Sequence, residues 1–471
     1  MHRPALLALR SARPQPIQQR LLAVLPPVRR SLASTAPAAE DAGSLLTEHT
    51  VPLKENETVS RIERLMSLGD KLAANAKGSI PARLRGEGLY EREAVHPKPA
   101  PQVEGELAPL PETRRMGDSY VQLDLKFSEN SSLREDYVGG LSKVRMGRLM
   151  EDFDSIAGAA AYRYVLPDGA PISDSSKYEF YLVTAAVDRM DVLRPVLNKD
   201  GSVPDLRISG HVSFATESSL EVFVRLSTLP TSPSQEGETI VIGRFAMACR
   251  SFKGGKHPIA KLLVEGPEEQ EMWKMGKEMR EGKKARSARS LEKTPPTAEE
   301  AAMLHDLFIN KAEIYDRQAP TPPDVIFMND TRIKSAVLVH PQERNVHDKA
   351  FGGYLMRLAY EAAYATSCLF ARSPVTFVAL DELQFRQPVE IGSLLLLDSK
   401  ITFSPMKGEH HSFSCSVEAA TVDLTFHFTF SADSPLERHV LPRSYRQAVS
   451  WLDAQRRRKV GIAIREAYHS S

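Results

Sequence analysis

The stretch from Ala336 to Arg372 reads AVLVHPQERNVHDKAFGGYLMRLAYEAAYATSCLFAR, and it decides how the chain folds. A short apolar strand is followed by a polar turn, and the pair Gly352-Gly353 then opens a helix. The apolar positions of this helix recur every three or four residues, which predicts a face turned towards a core. They are Phe351, Leu355, Leu358, Ala362, Ala365 and Leu369. Little of the opposite face is polar, so we expect other elements to enclose the helix.

The segments after this helix predict a sheet. Residues 376–406 and 411–433 are rich in Val, Phe, Thr, Leu and Ile, with Gly, Pro and Asp at the breaks. Several of these segments alternate in polarity, which is the pattern of strands. We therefore predict an α+β fold in which one long helix lies on an antiparallel sheet.

Residues 111–253 repeat this pattern in a degraded form, which predicts an internal repeat. PETRRMGDSYVQLDLKF corresponds to MNDTRIKSAVLVH, with Thr113 opposite Thr331 before each opening strand. VRMGRLMEDFDSIAGAAAYRY corresponds to the helix described above, with Gly147 opposite Gly353. The two halves are thus predicted to build the same unit.

A third correspondence aligns VDRMDVLRPV with LDELQFRQPV and places Asp188 opposite Asp381. The spacing from the helix glycine to this aspartate is 41 residues in the first copy and 28 in the second. The first copy therefore carries a 13-residue insertion, near LPDGAPISDSS.

The run PQERNVHDKAFGGYLMR, followed by the strands in LDELQFRQPVEIGSLLLL, resembles the double hot-dog acyl-CoA thioesterases, in particular their mitochondrial group. The resemblance covers roughly Pro111 to Asp433. It implies two fused hot-dog domains, each with a long central helix on an antiparallel sheet, whose sheets form one continuous surface. It also implies hydrolysis of fatty acyl-CoA to free fatty acid and CoA, without a metal or another cofactor. A homo-oligomer of double hot-dog subunits is expected.

Composition and the repeat together predict the organisation of the chain. Residues 1–39 contain six arginines and no acidic residue, which is typical of a mitochondrial transit peptide; a disordered basic tail is the alternative. Cleavage near Leu32 and a location in the mitochondrial matrix are expected. The predicted segments are a transit peptide (1–32), an N-terminal extension (33–110), hot-dog domain 1 (111–253), a helical connector (254–325), hot-dog domain 2 (326–433) and a basic C-terminal helical tail (434–471).

Two local patterns refine the connector and the tail. Thr297 and Glu300 have the spacing of a capping box, which predicts a helix start there, and mixed charges predict exposed helices in the connector. In the tail, the run from Arg456 to Lys459 predicts either a contact with CoA phosphates or a lipid surface, or a solvated helix end.

Composition also excludes several classes of function. The formal net charge is +1, so there is no basic excess for binding nucleic acid, and no 18-residue apolar run predicts an integral membrane span. Cys249, Cys368 and Cys415 form no CxxC pair and are expected to be free, buried and unreactive. Signatures of serine esterases, zinc proteases and nucleotide hydrolases are missing from the sequence.

The predicted catalytic groups begin at the helix that Gly352 and Gly353 open. Their N–H groups would lie at the positive end of the helix dipole, where a developing oxyanion is stabilised. The alternative is that the glycines only permit close packing. Asn345 lies eight residues before Gly353 in a turn, where Asn is also a common turn former. The family resemblance implies that Asn345 orients a water molecule or the thioester, and His347 is a further catalytic candidate.

In the first copy, Asp154 lies seven residues after Gly147, at the edge of the apolar stripe of its helix. A carboxylate there is expected to be half-buried with a raised pKa, which suits a general base. Activation of water and direct attack on the thioester to form an anhydride both stay open for Asp154. Asp152 lies at the opposite edge and is the rival, whereas Glu151 is expected to point away. The spacing found in the family favours Asp154.

We expect the two copies to form one competent site between them. The second copy has Tyr360 where the first has Asp154, and the first has Gly139 in place of Asn345. Across a pseudo-twofold axis, Asn345 and the glycine pair should therefore meet Asp154, and the opposite junction keeps only Glu361. Arg344, Lys349 and Arg386 are the candidates for binding the CoA phosphates.

Two other functions stay open from the residues alone. The hot-dog fold also serves enoyl-CoA hydratases and dehydratases, and the pair His347-Asp348 is similar to their acid–base groups. A non-catalytic acyl-CoA-binding protein with lapsed sites is the second alternative. Acyl-CoA is the expected small-molecule partner in each case.

Overall fold

The computed structural model describes residues 107–139, 143–198, 200–230, 237–288, 290–291, 293–309, 320–345, 349–381, 383–385, 387–405 and 411–469. These residues lie in one compact unit, Leu53–Ser471. The predicted transit peptide, most of the N-terminal extension, His347 and Arg386 lie outside the described residues.

The strands of the described residues are mostly long and antiparallel. They are β1 (Thr113–Arg115), β2 (Val121–Leu125), β3 (Phe180–Val192), β4 (Leu206–Ala215), β5 (Ser219–Thr228), β6 (Thr239–Ser251), β7 (Lys261–Leu263), β8 (Val325–Phe327), β9 (Ile333–Leu338), β10 (Val375–Leu380), β11 (Leu383–Gln384), β12 (Leu394–Phe403), β13 (Ser412–Ala419), β14 (Leu424–Ala432) and β15 (His439–Leu441).

The helices include two of twenty residues each, one in each half of the chain. They are α1 (Ser131–Tyr137), α2 (Met146–Val165), α3 (Gly266–Ala288), α4 (Ala298–Ile309), α5 (Gly352–Ala371) and α6 (Tyr445–His469). None of the helices among the described residues is long and apolar enough to cross a membrane.

Within the described ranges, eleven strands form one antiparallel sheet in the order β2-β4-β5-β6-β3-β10-β14-β13-β12-β9, with β11 also beside β3. The two halves meet where β3 pairs with β10, through Asp191 opposite Ala379 and Met190 opposite Leu380. Reading outwards from this pair, the strand order is the same on both sides. The predicted combination of long helices with an antiparallel sheet is confirmed.

Helices α2 and α3 lie on opposite faces of the sheet. A Cβ atom on Gly210 of β4 would lie 2.8 Å from Ile156 of α2, whereas Nε2 of the next residue, His211, is 3.2 Å from Sδ of Met272 in α3. Neighbouring residues of a strand point to opposite faces, so the two helices are separated by the sheet. The connector was expected to form exposed helices, but α3 buries Met272 against the sheet. The sequence did not predict this contact because charged residues lie on most sides of α3 and leave no clear apolar face.

The C-terminal segment is the helix α6, which packs against the chain instead of forming an exposed tail. Leu452 is fully buried, and Arg456 forms an ion pair with Glu300, at 2.5 Å. The guanidinium of Arg458 lies 5.8 Å from the ring centre of Phe403. These two arginines therefore bind groups of the same chain, which corrects the interpretation of their run as a solvated helix end.

The start of α4 forms as the capping box predicts. The Glu300 N–H donates to Oγ1 of Thr297 at 3.3 Å, and the Thr297 N–H donates to a carboxylate oxygen of Glu300 at 3.0 Å. The predicted helix start is therefore confirmed.

The opening strands correspond in a different register from the predicted one. Oγ of Ser119 accepts the N–H of Val212 at 2.9 Å, and Oγ1 of Thr331 accepts the N–H of Ile401 at 3.0 Å. Ser119 thus does what Thr331 does, whereas Thr113 lies in β1, which pairs with β7. The alignment of Thr113 with Thr331 was wrong because it paired two threonines by residue type. The residue that corresponds to Thr331 is Ser119, whose hydroxyl accepts the equivalent backbone N–H.

The cysteines are free, as predicted, with Cys249 and Cys415 buried and Cys368 half-buried. Burial raises the pKa of the Cys249 and Cys415 thiols to about 12. Their thiolates are therefore scarce at neutral pH, and both side chains serve as packing groups.

Candidate active site

The starts of helices α2 and α5 each press against the other helix. A Cβ atom on Gly353 would lie 2.8 Å from the backbone Cα of Glu151, and one on Gly147 would lie 2.9 Å from Cγ of Arg357. Contacts this short do not occur between real atoms. The contact at Gly353 is with backbone, which cannot move aside cheaply, so the approach of the helices requires glycine there.

Asp154 of α2 binds the first turn of α5. The Gly353 N–H donates to Oδ2 of Asp154 at 2.7 Å, and Oγ1 of Thr184 in β3 donates to Oδ1 at 2.7 Å. Phe351 precedes α5 and has no side-chain cap, so the carboxylate of the other helix satisfies an otherwise unpaired N–H. The structure thus brings Asp154 and the glycine pair together.

Asp154 is more deeply buried than the sequence predicts, with 3% of its surface exposed instead of about half. The start of α5 covers the edge of the apolar stripe, and a pattern within one helix cannot reveal this cover. Burial raises the pKa of Asp154 to about 6, although the hydrogen bonds from Thr184 and Gly353 act in the opposite direction. A carboxylate with this pKa is mostly ionised at neutral pH and still basic enough to take a proton.

Glu151 also faces α5, contrary to the expectation that it points away. It is buried, and its carboxylate binds Arg357 of α5 at 2.6 Å and Arg148 at 2.7 Å. Glu151 can face inward because Arg357 of α5 supplies the cation that pairs with its carboxylate. The rival Asp152 is buried as well, and one of its oxygens accepts the Tyr137 hydroxyl at 2.6 Å.

Gly352 forms the wall of the site beside the carboxylate. A Cβ atom there would lie 2.8 Å from Oδ2 of Asp154 and 3.4 Å from Cζ of Phe385. The Gly353 N–H donates to Asp154. The Gly352 N–H has no hydrogen-bond acceptor among the described residues. A carbonyl oxygen could therefore approach the amide of Gly352 without displacing Asp154.

At the opposite junction, Tyr360 lies where Asp154 lies at the first. A Cβ atom on Gly147 would be 3.3 Å from the Tyr360 ring, which packs edge-on against Phe377 with ring centres 5.6 Å apart. Burial raises the pKa of the Tyr360 hydroxyl above its ordinary value. Glu361 is exposed and lies 3.6 Å from Arg357. The position that Asp154 occupies at the first junction is therefore occupied here by an aromatic ring, and the neighbouring carboxylate of Glu361 is exposed.

Comparison with known proteins supplies the family. No protein-family model matches the chain. Mitochondrial acyl-coenzyme A thioesterase 9 from Homo sapiens is 33% identical over 412 residues, which cover 85% of this chain and 90% of that protein. The chain belongs to the acyl-coenzyme A thioesterase family. Mitochondrial acyl-coenzyme A thioesterase 10 from Mus musculus is 32% identical over 383 residues, which cover 79% of this chain and 83% of that protein.

Family membership confirms the predicted resemblance and the prediction of an enzyme of this class, and several relatives are named as mitochondrial. Solved structures are more distant. A putative oleoyl thioesterase from Lactobacillus plantarum is 10% identical, with a TM-score of 0.39 over 66% of this chain and 95% of that one. The assignment to the acyl-coenzyme A thioesterases therefore rests on the sequence relatives.

Asn345, which the family resemblance singled out, lies in a turn just before α5. Its Oδ1 accepts the Lys349 N–H at 3.2 Å, and its own N–H donates to the Lys349 carbonyl at 2.7 Å. The turn is tied to the helix start because the Phe351 N–H donates to the carbonyl of Glu343 at 3.0 Å. No hydrogen bond joins Asn345 to Asp154 among the described residues.

Two of the three cations proposed for the CoA phosphates are described. The ammonium of Lys349 binds Glu390 at 2.6 Å in an exposed pair, and Arg344 is half-buried in the same turn. Both lie within eight residues of Gly352, on the approach to the start of α5.

Sequence reasoning missed Thr184, which hydrogen-bonds Asp154. A signal was present, because Phe180, Leu182 and Thr184 alternate along β3 and the first two are buried. A hydroxyl at the third core-facing position is unusual in such a run. A polar side chain on the core-facing side of a strand indicates that it forms a hydrogen bond with another buried polar group.

Proposed function

We propose that this chain hydrolyses fatty acyl-CoA to free fatty acid and CoA in the mitochondrial matrix. The observation that carries the proposal is the buried carboxylate of Asp154, held at the start of α5 by the Gly353 N–H. Family membership supports the reaction class. The names of the relatives and the arginine-rich, acid-free residues 1–39 support the mitochondrial location.

In the proposed reaction, Asp154 takes a proton from water as the water oxygen attacks the thioester carbonyl. The carbon–sulfur bond then breaks, and the CoA thiolate leaves and is protonated. Asp154 accepts two hydrogen bonds, and a carboxylate has about four lone-pair sites, so it can still accept a water molecule. The Gly352 N–H, at the positive end of α5, is the proposed donor to the developing oxyanion.

The remaining candidates keep the roles predicted for them in the sequence analysis. We propose that Asn345 orients the water or the thioester, with His347, two residues later in the sequence, as a further catalytic candidate. Arg344, Lys349 and Arg386 are proposed to bind the CoA phosphates. Lys349 would exchange its exposed bond to Glu390 for a phosphate, and such exposed pairs contribute little, about 0–1 kcal/mol.

We further propose that the chain consists of two fused hot-dog domains with the segment bounds predicted above. The mirrored strand order supports an internal repeat. The strand pairing is irregular after Thr184 in β3 and after Phe377 in β10. Thr184 precedes Asp188 by the same number of residues as Phe377 precedes Asp381, so the irregularities lie at corresponding positions of the two halves. Limited proteolysis should spare the sequences VRMGRLME and LVHPQERN, and a domain boundary inside either would contradict the proposal.

A homo-oligomer is part of the same proposal. Leu338 of β9 and Leu394 and Leu396 of β12 are each about half exposed, on the last two strands of the sheet. Apolar side chains on an edge strand favour association. Light scattering on the purified protein should give a multiple of the chain mass, and a monomer at micromolar concentration would contradict it.

A thiol-release assay with acyl-CoA substrates of increasing chain length tests the reaction. We expect CoA release from at least one substrate, and Asp154→Asn should abolish most of it. If no substrate released CoA but acyl-CoA still bound, the chain would be a binding protein instead. A parallel assay of crotonyl-CoA hydration should give no product if the hydratase alternative is wrong.

A further inference from the structure

A cationic cleft lies at the end of the first-half sheet, away from the groups proposed for catalysis. It has a volume of about 410 Å³, which is within the range of small-molecule pockets. Its lining consists of the turn between β4 and β5, the end of β6, one residue of β3 and one of α3, namely Thr216, Glu217, Ser218, Ser219, Ala248, Arg250, Lys256, Ala185 and Arg280.

Three cations from different parts of the chain meet in this cleft. Arg250 ends β6, Lys256 pairs with it through a backbone bridge, and Arg280 extends from α3. None of the three forms an ion pair within the described part of the chain, and Glu217 is the acidic residue of the lining. Three cations and one carboxylate leave the lining with a net positive charge, which attracts an anion.

Hydroxyl groups complete the lining beside the cations. Oγ1 of Thr216 lies 2.7 Å from Oγ of Ser219, and the Arg280 guanidinium donates to Oγ of Ser219 at 3.3 Å. The turn is fixed because the Thr216 N–H donates to the Ser219 carbonyl at 2.9 Å. Cations combined with hydroxyl donors are the groups that bind phosphate oxygens.

The cleft and Asp154 lie on different faces of the sheet. Thr184 binds Asp154, whereas the next residue, Ala185, lines the cleft at a pairing irregularity of β3. Arg280 belongs to α3, which packs on the face opposite α2. A ligand could therefore fill the cleft without contacting the carboxylate.

We propose that this cleft binds the diphosphate group of a small-molecule ligand. Two phosphates offer enough oxygen acceptors for Arg250, Lys256 and Arg280 together, whereas a single carboxylate does not. The ligand has two conceivable sources. One is the diphosphate of the acyl-CoA substrate, which would then bind here instead of at Arg344, Lys349 and Arg386, and the other is a separate phosphorylated compound that binds beside the reaction.

Calorimetric titration of the full chain with inorganic pyrophosphate tests the site. The double variant Lys256→Gln/Arg280→Gln removes two exposed cations and should bind pyrophosphate at least about tenfold more weakly, since charged hydrogen bonds are lost. Lys256→Gln alone should give an intermediate loss. Lys274→Gln is the matched control, because Lys274 is an exposed cation of α3 outside the cleft.

Unchanged pyrophosphate affinity in the double variant, or no binding to the wild type, would overturn the proposal. The thermal unfolding midpoint of each variant shows whether it is folded. Because both substituted side chains are exposed, we expect midpoints close to that of the wild type.

Kinetics with acyl-CoA and with acyl-pantetheine, which lacks the diphosphate, distinguish the two sources. If the substrate supplies the diphosphate, the double variant should raise KM for acyl-CoA about tenfold and leave acyl-pantetheine unchanged. If a separate compound supplies it, both KM values stay unchanged while pyrophosphate binding is lost. Only the assignment to the substrate rests on the proposed function. A wild type that binds pyrophosphate but releases no CoA would refute that function and leave the cleft proposal standing.

Discussion

The two junctions between α2 and α5 have the same backbone arrangement and different chemistry. At the first, the start of α5 meets Asp154, which accepts the Gly353 N–H at 2.7 Å. At the second, the start of α2 meets Tyr360, seven residues after Gly353, and this ring packs against Phe377. In each case the residue seven positions after a helix glycine of one copy lies at the glycine of the other.

The difference indicates how two similar halves of the chain can carry different groups at corresponding positions. The helix crossing requires glycine at Gly353, where a Cβ atom would meet backbone, and the other helix start also has a glycine, Gly147, where a Cβ atom would meet the side chain of Arg357. The residue seven positions after each helix glycine, Asp154 or Tyr360, can differ without changing how the helices cross. A carboxylate there gains basicity from burial, whereas the phenol of Tyr360 adds apolar area to the core.

The largest difference between the junctions is expected for Asp154→Asn. Asn can still accept the Gly353 N–H but cannot take a proton from water, so kcat should fall by roughly 10²- to 10⁴-fold. Stopped assays with the best acyl-CoA substrate measure this loss. An Asp154→Asn enzyme of near wild-type activity would move the catalysis to another group.

The same substitution should stabilise the fold. The pKa of Asp154 rises from 3.8 to about 6 on folding, so its contribution to stability is fully present below pH 3.8 and is lost as the pH rises through 6. A neutral Asn avoids that loss, so Asp154→Asn should gain on the order of 3 kcal/mol at pH 7. Urea unfolding at pH 4 and pH 7 measures the gain, which should shrink at the lower pH.

Alanine at the two glycines gives the next largest contrast. The methyl group of Gly352→Ala would displace the Asp154 carboxylate, so activity should fall on the order of 10- to 100-fold. The methyl group of Gly147→Ala meets the flexible side chain of Arg357, so its activity should change far less. Equal losses in the two variants would mean that both junctions support the reaction.

A smaller effect is expected from Thr184→Val, which removes the hydroxyl donor of Asp154. That hydrogen bond lowers the pKa of the carboxylate, so its loss should raise the pKa further above 6. In the wild type, kcat/KM should rise with pH through about 6, and in the variant this rise should move to higher pH. At pH 7 the loss of activity should be at most about tenfold.

The control for this prediction is Thr184→Ser, which keeps the hydroxyl and should keep the wild-type pH profile. A Thr184→Val profile that coincides with that of the wild type would show that Asp154 does not control the titration.

The smallest effect is expected at the second junction. Glu361→Gln removes a carboxylate that is 49% exposed and lies 3.6 Å from Arg357. Exposed pairs of this kind contribute little, so activity should stay within about twofold of the wild type. If Glu361→Gln were inactive and Asp154→Asn active, the catalytic junction would be the opposite one.

Local signals predicted much of the molecule. The periodicity of residues 351–369 and the glycine pair predicted α5, and the capping box at Thr297 predicted α4. The helical pattern left Asp154 and Asp152 as candidates, and the resemblance to the thioesterases favoured Asp154, the carboxylate that meets the start of α5. These features depend on residues that are close together in the sequence, so the sequence alone can predict them.

Other features depend on partners that are distant in sequence. The burial of Asp154, the inward position of Glu151 and the bond from Thr184 all arise because α5 and β3 pack against α2. A helical pattern shows which residues share a face, but it does not show what covers that face.

The sequence by itself determined the elements, the repeat of their order and the residue that could act as a base. Only the tertiary structure decided that burial raises the pKa of Asp154 to about 6 and that its carboxylate accepts an amide N–H from the other half of the chain. The physical reason is that helix and strand patterns are local, whereas desolvation and hydrogen bonding depend on every atom nearby, whatever its position in the sequence.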